Sequence, residues 1–213
     1  MKQIAIIGAG GFGQEVYCIW RDVLQSQGVD YKFIGFFDDD PTIKENIYAK
    51  VMGNVEDLNN LKYPTEVGIA VGNVLHIKDI RKRISNEKVS FPNIIHPSVV
   101  FLDKTTTALG IGNIFSVGVI ISCNVNVGSF NIFNTRSTLG HDDKVGDFNV
   151  FSPNVQISGN VTIENQNFFG FNSGVIQGKK IGNLNTLGAG AILLRTIKDS
   201  GTFIGVPAKK FNM

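Results

Sequence analysis

The chain has few of the residues that usually advertise chemistry. Its 213 residues include two cysteines, Cys18 and Cys123, which make no disulfide framework. No apolar run approaches the roughly 20 residues needed to cross a bilayer. Met1-Lys2-Gln3 passes straight into a short apolar strand, without the pattern of a signal peptide. A soluble, cytoplasmic protein is expected. The net charge is +2 and no long basic run occurs, which argues against a nucleic-acid or membrane-surface partner. Only three histidines are present, His76, His96 and His141. A three-histidine metal site is therefore not expected in the part of the chain that carries only His141.

Glycine is what the chain has in quantity, 24 residues, within a globular 43% hydrophobic composition. Much of it falls in a strict period. From Leu109 every sixth residue is aliphatic or Phe, through Phe115, Ile121, Val127, Phe133, Leu139, Val145 and Phe151 to Leu187 and Leu193. The next position is small or turn-forming in most repeats, as at Gly110, Ser116, Gly128, Asn134, Gly140 and Gly146. Six fits neither an α-helix nor a hairpin meander. It fits a β-helix, in which three short strands and three corners close one coil of about eighteen residues. At that spacing Phe115, Phe133, Phe151 and Phe169 share one face. Val127, Val145, Ile163 and Ile181 share a second, and Ile121, Leu139, Ile157, Val175 and Leu193 the third. Ile95 and Phe101 read as imperfect first rungs, with 103–108 a slight excess before the register locks at Leu109. After Leu193 the coils are expected to stop.

The first 92 residues read differently. Ile4 to Ile7 is a buried strand, followed by Gly8-Ala9-Gly10-Gly11-Phe12-Gly13 and a helix over Gln14–Gln27. A strand, a GxGxxG turn and a helix aim backbone N–H groups at a phosphate. A second strand, Tyr31–Phe37, ends in Asp38-Asp39-Asp40, placed to meet a ribose or a base. A third, Glu66–Val71, ends in Gly72-Asn73 ahead of a helix over Val74–Ile84. The expectation is a Rossmann-like α/β unit of three or four parallel strands (residues 1–92), then an all-β solenoid (93–213). A nicotinamide dinucleotide, a nucleotide-linked sugar and a purely structural role are all open for the first unit. The first is disfavoured, because no second mononucleotide-binding half follows.

His141 is the one histidine of the array. It stands at a corner, in Leu139-Gly140-His141-Asp142-Asp143, and a corner side chain points outward. Cys123, Gly159, Gln177 and Arg195 share its column. Gly159 brings a bare backbone N–H one coil away, so a general base and an oxyanion donor adjoin, as acyl transfer requires. A solvated surface histidine is the plain alternative.

Taken together, GAGGFG, the FDD after the second strand, AVGN, IHPS, GHDDKVGDF, ISGNV and GVPAK resemble the hexapeptide-repeat acyltransferases. Within these, the chain is similar to the bacterial sialic-acid and amino-sugar acetyltransferases. The resemblance implies a left-handed parallel β-helix, acetyl-CoA as co-substrate, no metal, a homotrimer with the cofactor between subunits, and N-acetylation of a nucleotide-linked 4-amino-4,6-dideoxy sugar. By it His141 is the general base, Asp142 raises its basicity and Gly159 binds the thioester oxygen. Gly10, Gly11, Phe12, Asp38, Asp39 and Gly72 hold the sugar nucleotide, while Val150, Gly159, Phe171 and Ala189 lie near acetyl-CoA. Phe12 stands where relatives often have His, and Val150 where many have a second His. Arg136 is an unusual large cation at a position often small. O-acetylation of a sugar or sialic-acid hydroxyl, and a non-catalytic ligand-binding solenoid, are the alternatives.

Overall fold

The computed structural model describes residues 1–211, which form two compact units, Met1–Pro97 and the chain from Ser98 onward. In the first, strands β1 (Lys2–Ile7), β2 (Tyr31–Phe37), β3 (Val51–Gly53), β4 (Thr65–Ile69) and β5 (Val89–Ser90) make one parallel sheet in the order β3-β2-β1-β4-β5. Helix α1 (Gly11–Ser26) joins the first two strands and α2 (Val74–Arg83) follows β4. Ile4, Ala5, Ile6 and Ile7 on the central strand are buried. That is why this strand reads as an unbroken apolar run: helices and loops cover both faces of a parallel sheet. The sheet has five strands where three or four were expected. The two edge strands, of three and two residues, are too short to carry a pattern.

The chain leaves β1 for β2 on one side and reaches β4 on the other. The crevice between the ends of β1 and β4 is therefore a topological switch point, where α/β sheets bind ligands. Its two sides touch. The Ala70 amide donates to the Ile7 carbonyl at 2.8 Å, and Gly8 (φ +97°) leaves no room for a Cβ, which would lie 2.5 Å from the Ala70 oxygen.

The second unit is a parallel β-helix of three sheets. Two-residue strands recur every six residues, each ending on the aliphatic or Phe position, and pair with the strand eighteen residues on: Phe133 with Phe151, Val127 with Val145, Ile121 with Leu139. Phe115, Phe133, Phe151 and Phe169 are fully buried and stack with ring centroids 4.6–4.7 Å apart, within 9° of parallel. Strand spacing, about 4.8 Å, sets that separation.

The turn chemistry sits two residues later than the small positions suggested. Every sixth residue from Gly112 to Gly190 has φ between +57° and +72°. Gly and Asn adopt this left-handed conformation readily, and other residues at a cost of about 1–2 kcal/mol. Phe130 and Phe148 accept it while stacking on each other at 5.5 Å. One corner also carries a buried asparagine ladder, Asn113, Asn131, Asn149, Asn167 and Asn185, in which each side-chain oxygen but the last accepts the amide of the next rung at 2.8–2.9 Å.

Both ends of the array depart from the period. Phe101 pairs with Ile121 as a true first rung, and the excess before Leu109 is wound into a 3₁₀ turn, Lys104–Thr106. The expectation that the coils stop after Leu193 is corrected. Ile197 bridges to Ile181, and Thr202–Ile204 pairs with Thr186–Leu187. A last coil forms at a spacing of sixteen residues, which the sixfold reading misses. Lys209–Phe211 then folds back antiparallel on that edge.

Candidate active site

The corner between Leu139 and Val145 is built from Gly140, His141, Asp142 and Asp143. Asp142 takes the left-handed conformation (φ +63°), and its amide donates to the Cys123 carbonyl of the preceding coil at 3.1 Å. The carboxylate is held from two sides. Asn124 Nδ2 donates to Oδ1 at 2.6 Å, and Oδ2 lies 2.7 Å from His141 Nδ1. The hydrogen bond from His141, and then that from Asn124, holds the Asp142 carboxyl below the usual carboxylate range. An ionised carboxylate only accepts, so Nδ1 is the donor, and in the neutral imidazole the lone pair then lies on Nε2.

Nε2 looks onto the next coil. A Cβ built on Gly159 would lie 2.5 Å from it, so only glycine lets the imidazole take this position. Gly140 likewise packs against the Gly159 backbone with no space for a side chain. The amides flanking Gly159 are committed, Ser158 to the Val175 carbonyl at 3.0 Å and Asn160 to the His141 carbonyl at 2.7 Å. The Gly159 N–H has no acceptor among the described residues. His141 and Gly159 thus meet as the eighteen-residue column implies, with Asp142 against the far side of the ring. Asn124 was missed, although it stands eighteen residues before Asp142.

Of the positions expected near acetyl-CoA, Phe171 and Ala189 are exposed at one corner column. Val150 is not: its side chain is 2% exposed, within a buried column with Ile114 and Ile132. Strand pairing stacks these three residues on one another, and a residue buried to this degree offers a ligand almost no surface. Arg136 is an exposed, left-handed corner residue. A concavity of about 570 Å³ lies on the outer face of the solenoid beside Lys144, Thr162 and Glu164, and His141 does not line it.

In the first unit, α1 begins at Gly11, three residues earlier than expected, so its first turn lies within the glycine motif. Gly10 caps it with no side-chain bond, and the first turn has no acidic residue. A Cβ at Gly10, Gly11 or Gly72 would meet nothing within 4 Å, so the backbone is open to solvent there; Gly13 has no such room against Gly8. Phe12 lies in the first turn of α1, half-buried. Asp38 braces the glycine loop, its Oδ2 accepting from the Ala9 amide at 2.7 Å. Asp39 is engaged elsewhere. Arg83 donates to both of its oxygens, at 2.7 and 3.0 Å, and the Val55 amide adds a third bond. The expectation that Asp39 meets the sugar nucleotide is revised accordingly: its carboxylate anchors α2 and the 3₁₀ turn Val55–Asn60, held below its ordinary range first by Arg83.

Residues 3–88 match the PglD N-terminal domain family. The GDP-perosamine N-acetyltransferase of Escherichia coli O157:H7 is 31% identical over 159 residues, which is 70% of this chain and 66% of that protein's length. The crystal structure of PerB from Caulobacter crescentus, in complex with CoA and GDP-perosamine, superposes with a TM-score of 0.84 at 28% identity, covering 100% of this chain and 98% of that one. The acetyltransferase domain of PglB from Neisseria gonorrhoeae, in complex with acetyl coenzyme A, gives 0.87 at 28% identity and covers 99% of each. The chain belongs to the hexapeptide-repeat amino-sugar acetyltransferases.

The β-helix of this acetyltransferase is left-handed, an exception to the right-handed crossover rule. Of its other histidines, His96 Nε2 lies 3.8 Å from Asp22 Oδ2, and His76 sits in the first turn of α2, its amide facing the capping Asn73 side chain. Neither approaches a second histidine or a cysteine in a metal-like cluster among the described residues. His141 has its Nδ1 on the Asp142 carboxylate and its Nε2 against the next coil.

Proposed function

We propose that this acetyltransferase moves the acetyl group of acetyl-CoA to the amino group of a nucleotide-linked 4-amino-4,6-dideoxy sugar. One observation carries the reading: His141 is fixed through Nδ1 by Asp142, with Nε2 directly over Gly159. Nε2 takes a proton from the sugar amine as its nitrogen attacks the thioester carbonyl carbon. The carbonyl oxygen gains negative charge and accepts the Gly159 N–H. Collapse breaks the C–S bond, the imidazolium returns the proton to the departing CoA sulfur, and the amide is left on the sugar. Asp142 stabilises the imidazolium in between.

In this reading the open backbone at Gly10, Gly11 and Gly72, with Phe12, receives the nucleotide sugar, and Asp38 keeps the glycine loop in shape. Phe171 and Ala189 border acetyl-CoA, and the working form is a cytoplasmic homotrimer. The curated relative is named for GDP-perosamine and the PerB crystal structure is a complex with CoA and GDP-perosamine, so a GDP-linked acceptor is the first to try.

The test is thiol release across GDP-, dTDP- and UDP-linked 4-amino sugars, with resistance of the product to mild base or hydroxylamine distinguishing an amide from an ester. His141→Ala is expected to lower kcat by about 10²–10⁴ in protein that still binds acetyl-CoA. Near-normal turnover in that variant would overturn the mechanism.

A further inference from the structure

We infer that Asp143 is a positioning residue of the catalytic corner, which sets the spacing between His141 and Gly159 by gripping one main-chain amide in each of their two coils. The inference rests on the roles proposed for His141 and Gly159.

Asp143 is completely buried inside the solenoid. The residues eighteen before and after it in the same interior column are Val125 and Val161, also fully buried, so packing alone asks for an aliphatic side chain here. Its carboxylate instead makes two bonds of 2.8 Å. Oδ2 accepts the amide of Gly140, the residue just before the base, and Oδ1 accepts the amide of Val161, two residues after the proposed oxyanion donor. Gly140 is itself in backbone contact with Gly159. The carboxylate thus spans, from behind, the two coils whose front faces hold the reacting groups.

The asparagine ladder makes the choice of an acid informative. There, each side-chain oxygen but that of Asn185 accepts from the next rung and each NH₂ donates to an oxygen, as Asn149 does to Asn131. At Asp143 both partners are N–H donors. An amide would set its NH₂ against one of them, and only a carboxylate satisfies both. An acid in an apolar interior is costly unless its bonds have a use, and here they run to the two coils of the site.

Burial pushes the Asp143 carboxyl up to about 7, against the opposing pull of the Val161 and Gly140 amides and His141. The charged groups that bear on it are His141 and Asp142 of its own corner. The corners before and after present Cys123 and Asn124, and Gly159 and Asn160, while Lys144, next in sequence, is exposed. Both grips are at full strength when the carboxyl is ionised.

Asp143→Val restores the column to valine and is expected to fold and melt at or above the parent temperature. Its kcat should fall about 10- to 100-fold, the scale of an ångström of misplacement at a reacting group, with both KM values within about twofold. The acid limb of its kcat profile should lose one ionisation, and the Gly140 and Val161 amides should exchange with solvent faster. Asp143→Asn should lose activity similarly. Parent-like kcat and pH profile in Asp143→Val, or a fall in kcat that merely follows a fall in melting temperature, overturns the inference and leaves the His141 mechanism standing. Full turnover in His141→Ala instead overturns the mechanism on which it rests.

Discussion

At the scale of single residues, the site is a set of small constraints that meet at Nε2 of His141. Asn124 fixes Asp142, Asp142 fixes Nδ1, and Gly159 yields the space in front of Nε2. Gly159→Ala keeps the N–H but puts a methyl where the imidazole stands. It is expected to lower kcat by about 10²-fold with little change in melting temperature, as its backbone is unstrained. Steady-state kinetics beside a thermal scan checks this, and parent-like turnover would mean that the ring can work from another position. Asn124→Ala frees one carboxylate oxygen only, so a smaller fall in kcat is expected, with KM unchanged.

The two neighbouring aspartates should affect stability in opposite directions. Asp142 is depressed in the fold, so what it contributes is present above its ordinary pKa and lost on acidification. Asp143 is raised to about 7, so its stabilising contribution is full below the ordinary carboxylate value and lost as pH rises towards neutrality. The melting-temperature advantage of Asp143→Val over the parent should therefore widen between pH 4 and 7. A constant difference would contradict the burial of that charge. The closeness of His141 and Gly159 was legible because a column eighteen residues apart names neighbours in space, and Asp142 simply follows His141 in the chain. Asn124 and Asp143 lie on the same arithmetic but went unused. An exposed Asn looks like turn filler, and a second acid beside His141 looks like solvated charge until burial is known.

At the scale of the coil, the six-residue period carries nearly all the information. It gave the rungs, the three faces and the phenylalanine stack, because each two-residue strand turns its second side chain into the core. It did not give the left-handed corner residue, since Phe130, Arg136, Phe148, Gln166 and Leu184 occupy a conformation usually marked by Gly or Asn. Nor did it give the last coil, whose sixteen-residue spacing breaks the count. That break has a visible consequence: the asparagine ladder ends there, and the side-chain oxygen of Asn185 is left buried without a partner among the described residues. Phe151, stacked between Phe133 and Phe169, is expected to cost about 3–5 kcal/mol on truncation to Ala. A coil is stabilised mainly by its neighbours, and Phe151 lies between the coils of His141 and Gly159. Phe151→Ala should lower both melting temperature and kcat. A parent-like melt would contradict the observed burial.

At the scale of the whole chain, two units carry different chemistry: one an open glycine loop at a switch point, the other a histidine on a solenoid corner. The order of these units was legible from the change of period alone, from a strand–helix alternation to a strict six. What each carboxylate does in the first unit was not, because the FDD turn names three acids without saying which are spoken for. Asp38 and Asp39 now separate. Asp38 holds the Ala9 amide, between the two glycines that open the loop. Asp39 is in an ion pair with Arg83, which also donates to Glu56. Half-exposed pairs of this kind contribute about 0–1 kcal/mol, and Arg83 would keep its second partner. Asp38→Ala should therefore weaken GDP binding in calorimetry by about tenfold, the scale of one lost positioning bond to a charged group, and raise KM for the nucleotide sugar while leaving KM for acetyl-CoA and the melting temperature near the parent values. Asp39→Ala should change GDP affinity less than Asp38→Ala does and register mainly as a small loss of stability. The opposite ranking would mean that Asp39 leaves Arg83 to meet the ligand, and that the glycine loop keeps its shape without Asp38.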